Sequence, residues 1–189
     1  MKKPRILVFG GSLRVESYNQ KLATIAAAAA TEAGAEVTLI ALRDYRMPIF
    51  DEDLETAEGM PENAVKLKAL FAESDGLIIA SPEYNSGITA ALKNAIDWVS
   101  RATSEGEPPL SVLKGKTAAI IAASPGGYGG ARSLAQLRTL LENISITVLP
   151  AQVAVPKAYE AFDAQGNLVN ATQNEAIKQL AAELVTKLG

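Results

Sequence analysis

Three short segments concentrate small, polar and glycine residues. They are Gly10-Gly11-Ser12-Leu13-Arg14-Val15-Glu16-Ser17-Tyr18-Asn19, Ser81-Pro82-Glu83-Tyr84-Asn85-Ser86-Gly87 and Ser124-Pro125-Gly126-Gly127-Tyr128-Gly129-Gly130. In the first, the hydroxyls of Ser12 and Ser17, the amide of Asn19 and the guanidinium of Arg14 stand beside a helix start. Free helix N–H groups with an arginine fork suit a terminal phosphate. The plainer reading is a helix cap at Ser17 and a solvated charge at Arg14. The other two segments offer backbone N–H and C=O groups with little side-chain bulk, which suits a flat ring. Gly126 and Gly127 permit close backbone approach or positive φ; the plainer reading there is a flexible turn. Neither common nucleotide motif is present. Gly115-Lys116-Thr117 has Leu110 where the upstream glycine of a P-loop belongs. No GxGxxG follows the first strand, and Gly127-x-Gly129 is followed by Arg132 in the last position.

Each segment follows an apolar run that reads as a buried strand: Arg5–Gly10, Gly76–Ser81 and Lys116–Ser124. Glu36–Ala41 and Ile144–Leu149 complete five strands. Helices are expected over Ser17–Ala33, where Ser17-x-x-Gln20 forms a capping box and Gly34 a stop. Further helices are expected over Asn63–Glu73 after Pro61, and over Thr89–Arg101, Gly130–Asn143 and Asn170–Leu188. Leu42–Gly59 reads as a long loop, Glu105–Pro109 as a loop and Asp163–Asn167 as a turn. Apolar strands alternating with helices predict an α/β fold, a parallel sheet covered on both faces. At this length the doubly wound order 2-1-3-4-5 fits best. Ligands then bind beyond the carboxyl ends of the strands, at the switch between strands one and three. The three segments lie at that edge.

Composition narrows the chemistry further. The 189 residues include no cysteine and no histidine. That excludes disulfides, thiol nucleophiles, thiolate zinc sites, iron–sulfur clusters and a Ser–His–Asp triad, and leaves demanding chemistry to a cofactor. Eighteen basic against 21 acidic residues give a net charge of −3, which argues against nucleic acid. The length suits a single domain over residues 1–189 at roughly 150 residues per domain. No uncharged run reaches the about 18 apolar residues of a membrane span. Lys2, Lys3 and Ile6–Phe9 mimic a signal peptide, but the apolar stretch stops at Gly10. A cytoplasmic location is expected.

In combination, four motifs closely resemble the NAD(P)H-dependent FMN reductase family, which includes quinone, chromate and azo-dye reductases. They are Gly11-Ser12-Leu13-Arg14-x-x-Ser17-x-Asn19, Ser81-Pro82-Glu83-Tyr84-Asn85-x-Gly87, Leu92-Lys93-Asn94-Ala95-Ile96-Asp97-Trp98 and Ser124-Pro125-Gly126-Gly127. The resemblance implies a flavodoxin-like five-stranded sheet, tightly held FMN, NADPH or NADH as co-substrate and homodimers or homotetramers. It implies that Ser12, Arg14, Ser17 and Asn19 hold the FMN phosphate. Pro82, Glu83, Tyr84 and Asn85 then line the isoalloxazine ring, with Ser124, Gly126 and Gly127 on its other side. No side chain is assigned a catalytic role and no metal is expected. The expected activity is hydride uptake from NAD(P)H and reduction of quinones or other small acceptors in alternating steps. The alternative is a flavodoxin-type FMN electron carrier; a phospho-receiver is set aside because Gly10-Gly11 and Ser81-Pro82 stand where its acids belong.

Other residues take plainer readings. Lys93 and Asp97 form an i,i+4 helix pair. Trp98 is core or subunit interface, and Asp51-Glu52-Asp53 is a solvated acidic loop. Tyr128 and Arg132 face either the nicotinamide co-substrate or a neighbouring subunit.

Overall fold

The computed structural model describes residues 3–189; Lys2 lies outside the described residues. The element order is β1 (Arg5–Gly10), α1 (Tyr18–Glu32), β2 (Glu36–Ala41), a 3-10 turn at Leu42–Asp44, α2 (Glu52–Glu58), α3 (Glu62–Glu73), β3 (Gly76–Ala80), α4 (Ala90–Val99), β4 (Thr117–Ala123), α5 (Ala131–Asn143), β5 (Thr147–Val148), β6 (Val153–Val155) and α6 (Ala171–Leu188). All strand pairs are parallel, in the order β2-β1-β3-β4-β5.

The apolar runs are continuous because both sheet faces are covered. Along β1, Ile6 and Val8 face one core while Leu7 and Phe9 face the other. The first core lies under α1 and α6, the second under α3, α4 and α5. The alanines of α1 (Ala23, Ala26, Ala27, Ala29 and Ala30) are buried. Their small side chains let that helix lie close to the sheet.

Two expectations are corrected. The fifth strand is not continuous over 144–149. Only Thr147 and Val148 pair with Thr117 and Ala118; the chain then leaves the edge at Pro150 and returns as β6, pairing Val153–Val155 with Ile121–Ala123. The sheet therefore has six strands, with two short pieces sharing the outer edge of β4. The segment 42–59 is not a plain loop. Asp51 caps α2, its Oδ1 accepting the Asp53 N–H at 2.8 Å, and Glu52 and Asp53 occupy the first turn. Acidic side chains there oppose the positive end of the helix dipole.

Helix α4 grips this segment. Asn94 Nδ2 donates to Pro48 O, Asn94 Oδ1 accepts the Phe50 N–H, and Trp98 Nε1 donates to Pro48 O at 2.9 Å. Arg101 binds Glu55 at 2.7 Å and lies over the Phe50 ring. Trp98 is fully buried, as read. Lys93 and Asp97 form the expected pair, at 2.7 Å.

Candidate functional site

The carboxyl ends of β1, β3 and β4 lie side by side. Gly10 is opposite Ala80, Ala80 is opposite Ile121, and β4 runs on to Ala123. The ladder continues into the loops, with Gly11 N–H donating to Ala80 O at 2.9 Å and Ser81 N–H to Ile121 O at 2.8 Å. The three polar segments therefore leave the sheet at one place.

A cavity of about 50 Å³ lies where they meet. Its walls are Ser12, Arg14, Ser17 and Asn19 from the first loop, Pro82, Glu83 and Tyr84 from the second, and Ser124 from the third. Eight of the eleven expected residues thus share one wall. Asn85, Gly126 and Gly127 stand outside it, exposed on the rims. A second hollow of about 380 Å³ adjoins it, between Leu13, Arg14, Tyr84 and the start of α4 at Ala90 and Ala91. Ser12, Arg14 and Tyr84 border both.

Ser17 caps α1, its Oγ accepting the Gln20 N–H at 3.3 Å, and lines the cavity with the same side chain. The capping box is only half formed. Gln20 turns away to take the Gly10 N–H and to donate to Ile40 O, tying the loop to β1 and β2. Ser12 Oγ accepts the Arg14 N–H at 3.2 Å, so the loop holds its turn independently of the arginine side chain. Arg14 is exposed, and no carboxylate among the described residues pairs with it. Buried hydroxyls, a guanidinium without a carboxylate and the first N–H groups of a helix make a donor set for an anion of phosphate size.

Asn19 is placed differently from the expectation. It is buried, its Nδ2 donates to Ala123 O at 2.8 Å and its Oδ1 accepts the Ala123 N–H at 2.9 Å. The carboxamide is occupied by this pair of hydrogen bonds across β3, so it locks the start of α1 to the end of β4.

The second loop turns on two consecutive residues with positive φ, Asn85 at 51° and Ser86 at 66°. Tyr84 and Gly87 exchange both backbone hydrogen bonds, at 2.9 and 3.0 Å. This is the geometry of a tight two-residue hairpin turn, in which asparagine is favoured first and glycine second. Ser86 stands where glycine is preferred, and α5 holds it: Gln136 Nε2 donates to Ser86 O and Arg132 reaches Ser86 Oγ. Glu83 Oε2 accepts the Ser133 N–H at 3.2 Å.

In the third loop the backbone requirement falls on another pair than expected. Gly129 (φ 62°) and Gly130 (φ 94°) are left-handed, and a Cβ on Gly130 would lie 2.6 Å from that of Ala122. Gly126 and Gly127 have neither positive φ nor crowding, and a Cβ on Gly127 would meet nothing within 4 Å. The space above them is open to a ligand.

Three residues brace the first loop; sequence reasoning missed Thr89 and Arg43 in this role and read Gln20 only as a capping partner. Thr89 caps α4 and donates its hydroxyl to Gly11 O at 2.6 Å. Arg43 donates to Val15 O at 3.1 Å, and Gln20 acts as described. All three act through atoms near in space and distant in sequence, and only the position of Thr89 before a helical pattern was a usable signal.

A donor set suited to an anion, two glycine-bordered rims and a doubly wound sheet invite comparison with known proteins. Residues 4–160 match the family model described as NADPH-dependent FMN reductase. The chain belongs to that family. Family members are flavin-dependent oxidoreductases, and this chain is an enzyme that works with FMN and NAD(P)H. It is similar to the NAD(P)H-dependent FMN reductase of Pseudomonas aeruginosa, 36% identical over 93% of this chain and 90% of the relative. It is also similar to the NADPH:quinone oxidoreductase of Arabidopsis thaliana, 32% identical over 95% of this chain and 89% of the relative. The solved structure of a flavoenzyme NAD(P)H:(acceptor) oxidoreductase from Paracoccus denitrificans superposes with a TM-score of 0.80 at 28% identity, covering 98% of this chain and 97% of that one. An archaeal flavodoxin shares the fold alone, with a TM-score of 0.65 at 11% identity, 97% of this chain and 98% of that one being covered. The fold is flavodoxin-like.

Proposed function

We propose that this enzyme takes electrons from NAD(P)H on bound FMN and passes them to quinones, its two substrates using one crevice in turn. The observation that carries the reading is the shared cavity of the three loops, walled by two buried serines and by an arginine that pairs with no carboxylate. It offers one phosphate position and no dinucleotide fingerprint, which fits FMN rather than FAD. The names of the relatives, among them an NADPH:quinone oxidoreductase and a 2-hydroxy-1,4-benzoquinone reductase, support quinones as acceptors.

Ser12, Arg14, Ser17 and the first N–H groups of α1 would hold the phosphate. The backbone of Pro82–Asn85 and the open strip over Gly126 and Gly127 would flank the ring, with Asn19 keeping these loops in register. When bound, FMN supplies the ring that accepts hydride from the nicotinamide and gives up the electrons again. The protein binds, orients and shields that ring. Glu83 is turned toward α5 by the Ser133 N–H, and hydride transfer to flavin needs no protein base. With no Cys or His to select an oxidant, discrimination rests on shape and stacking, and chromate and azo dyes follow quinones at lower rates.

A homodimer completes the proposal, with the groove of about 640 Å³ between α4 and α5 as its interface. Its wall combines the apolar Ile96, Leu140 and Ile144 with the Lys93–Asp97 pair, a mixed surface that a two-fold copy can match. The test of the function joins two measurements. Flavin released by denaturation should run with FMN on chromatography, and NADPH oxidation should depend on added benzoquinone. Predominant FAD, or no quinone-dependent oxidation by flavin-loaded protein, overturns the reading.

A further inference from the structure

The chain has seven arginines. Arg5, Arg43, Arg101 and Arg138 are each paired with a carboxylate. Among the described residues Arg14, Arg46 and Arg132 are not so paired. Arg46 lies in the connection from β2 to α2. Arg14 lines the crevice, and Arg132 stands against Ser86 on the second loop. The family works with two phosphate-bearing ligands, FMN and the nicotinamide dinucleotide, and the phosphate cavity uses only Arg14.

Arg132 is the second residue of α5, exposed, and directly follows the third loop. Two contacts fix its guanidinium. Its flat face lies over the Tyr128 ring, with Cζ 4.3 Å from the ring centre. Its Nη1 reaches Ser86 Oγ at 3.5 Å, on the strained turn of the second loop. The neighbouring acid, Glu83, is occupied by the Ser133 N–H. The remaining Nε–Nη2 edge presents two parallel donors, a geometry that matches a phosphate. Tyr128 is itself 65% exposed, so its ring supports the arginine without burying it. An ordered, exposed guanidinium thus spans the outer rim between the two ring loops.

We propose that Arg132, carried on Tyr128, binds a phosphate of the nicotinamide dinucleotide. The inference rests on the function proposed above, and its test separates the two. The flavin-loaded enzyme and its Arg132→Ala, Arg132→Lys and Tyr128→Ala variants are compared in FMN content and visible flavin spectrum. The KM for NADPH, for NADH and for benzoquinone is then measured for each, and NADP⁺ binding is followed by calorimetry. Arg132→Ala should keep its flavin and its KM for benzoquinone. Its KM for NADPH should rise roughly ten- to a hundredfold, the range for one charge-assisted contact, with kcat nearly constant. NADP⁺ affinity should fall by the same factor, a readout that needs no turnover. Arg132→Lys should recover part of the loss, since it keeps the charge but not the fork. Tyr128→Ala should lose roughly two- to fivefold, because it removes only the support of an exposed guanidinium. A loss confined to NADPH assigns the contact to the 2′-phosphate; an equal loss for NADH assigns it to the diphosphate. The proposal is overturned if both KM values and NADP⁺ affinity in Arg132→Ala stay within twofold of the unmutated enzyme. It is equally overturned if the KM for benzoquinone rises in step with them. Failure of the FMN reading would appear instead as an unmutated protein that binds no flavin.

Discussion

Replacing Arg14 by alanine tests the phosphate position with a built-in control. The backbone of the loop does not depend on the side chain, because Ser12 Oγ holds the Arg14 N–H and Arg43 holds the carbonyl of Val15. The guanidinium has no carboxylate partner to leave behind, so its removal costs the fold little; an exposed substitution of this kind stays within about 0.5 kcal/mol. What is lost is one charge-assisted contact to a dianion, worth about 1.5–3 kcal/mol. At 1.4 kcal/mol per decade, FMN affinity should fall roughly ten- to a hundredfold. Riboflavin carries the same ring without the phosphate, so its affinity should hold within about twofold. The assay is titration of the flavin-free protein, followed by quenching of flavin fluorescence, with both ligands and both proteins. An equal loss for FMN and riboflavin would refute the reasoning, since Arg14 would then act through the loop or the ring.

Four further outcomes follow. Asn19→Ala removes both bonds to Ala123 and leaves its buried N–H and C=O unpaired, at about 3 kcal/mol in total; calorimetry should show Tm lowered by roughly 6–12 °C, and a fall of under 2 °C would count against the lock. Gly127→Ala should leave Tm unchanged but weaken flavin binding, whereas Gly130→Ala should lower Tm through its positive φ and the contact with Ala122; the reverse order would mean that the rims are misassigned. Hydrogen bonding from Lys68, with help from Ser111 and Thr103, holds Glu107 far below the usual carboxylate range. The unfolded chain therefore takes up the proton first, so the pair stabilises fully above about pH 5 and its contribution fades as pH falls below about 4. Glu107→Gln should cost about 3 kcal/mol at pH 7, and denaturant unfolding should show the gap to the unmutated protein narrowing in acid. Finally, initial velocities with NADPH and benzoquinone both varied should give parallel double-reciprocal lines, and intersecting lines would show that both substrates bind together.

Much of the fold is legible in the sequence because the strands are local and uniform. Five apolar runs with helices between them specify the sheet, and the sheet order places three loops together without further information. What escaped was set by contacts between distant residues. Val153–Val155 is three residues long between Pro150 and Pro156, too short to show a period, and is a strand only because the upper half of β4 has a free edge. Helix α2 buries no residue of its own; Arg101 holds it through Glu55 across 46 residues, and Trp98 fixes Pro48 ahead of it across 50. Asn19 has the composition of a phosphate ligand, and only the position of Ala123 shows that its amide is already taken. The glycines misled for a related reason. Four sit in one loop, and which pair bears positive φ depends on how closely β4 and β6 approach it.

The two hydrogen bonds between Asn19 and Ala123 join residues 104 positions apart, and the third loop is held from behind by Ser124 pairing with Val155 and Ala158. This bears on biosynthesis. The first loop leaves the ribosome early, yet the wall facing it is absent until β4 has been made, and the third loop is unsupported until the chain has passed residue 158. At about 5–20 residues per second, several seconds separate the two events. A nascent chain that ends before β4 should therefore capture no flavin. The cofactor enters a crevice assembled late from parts made early, and its affinity secures the finished fold rather than guiding the first steps toward it.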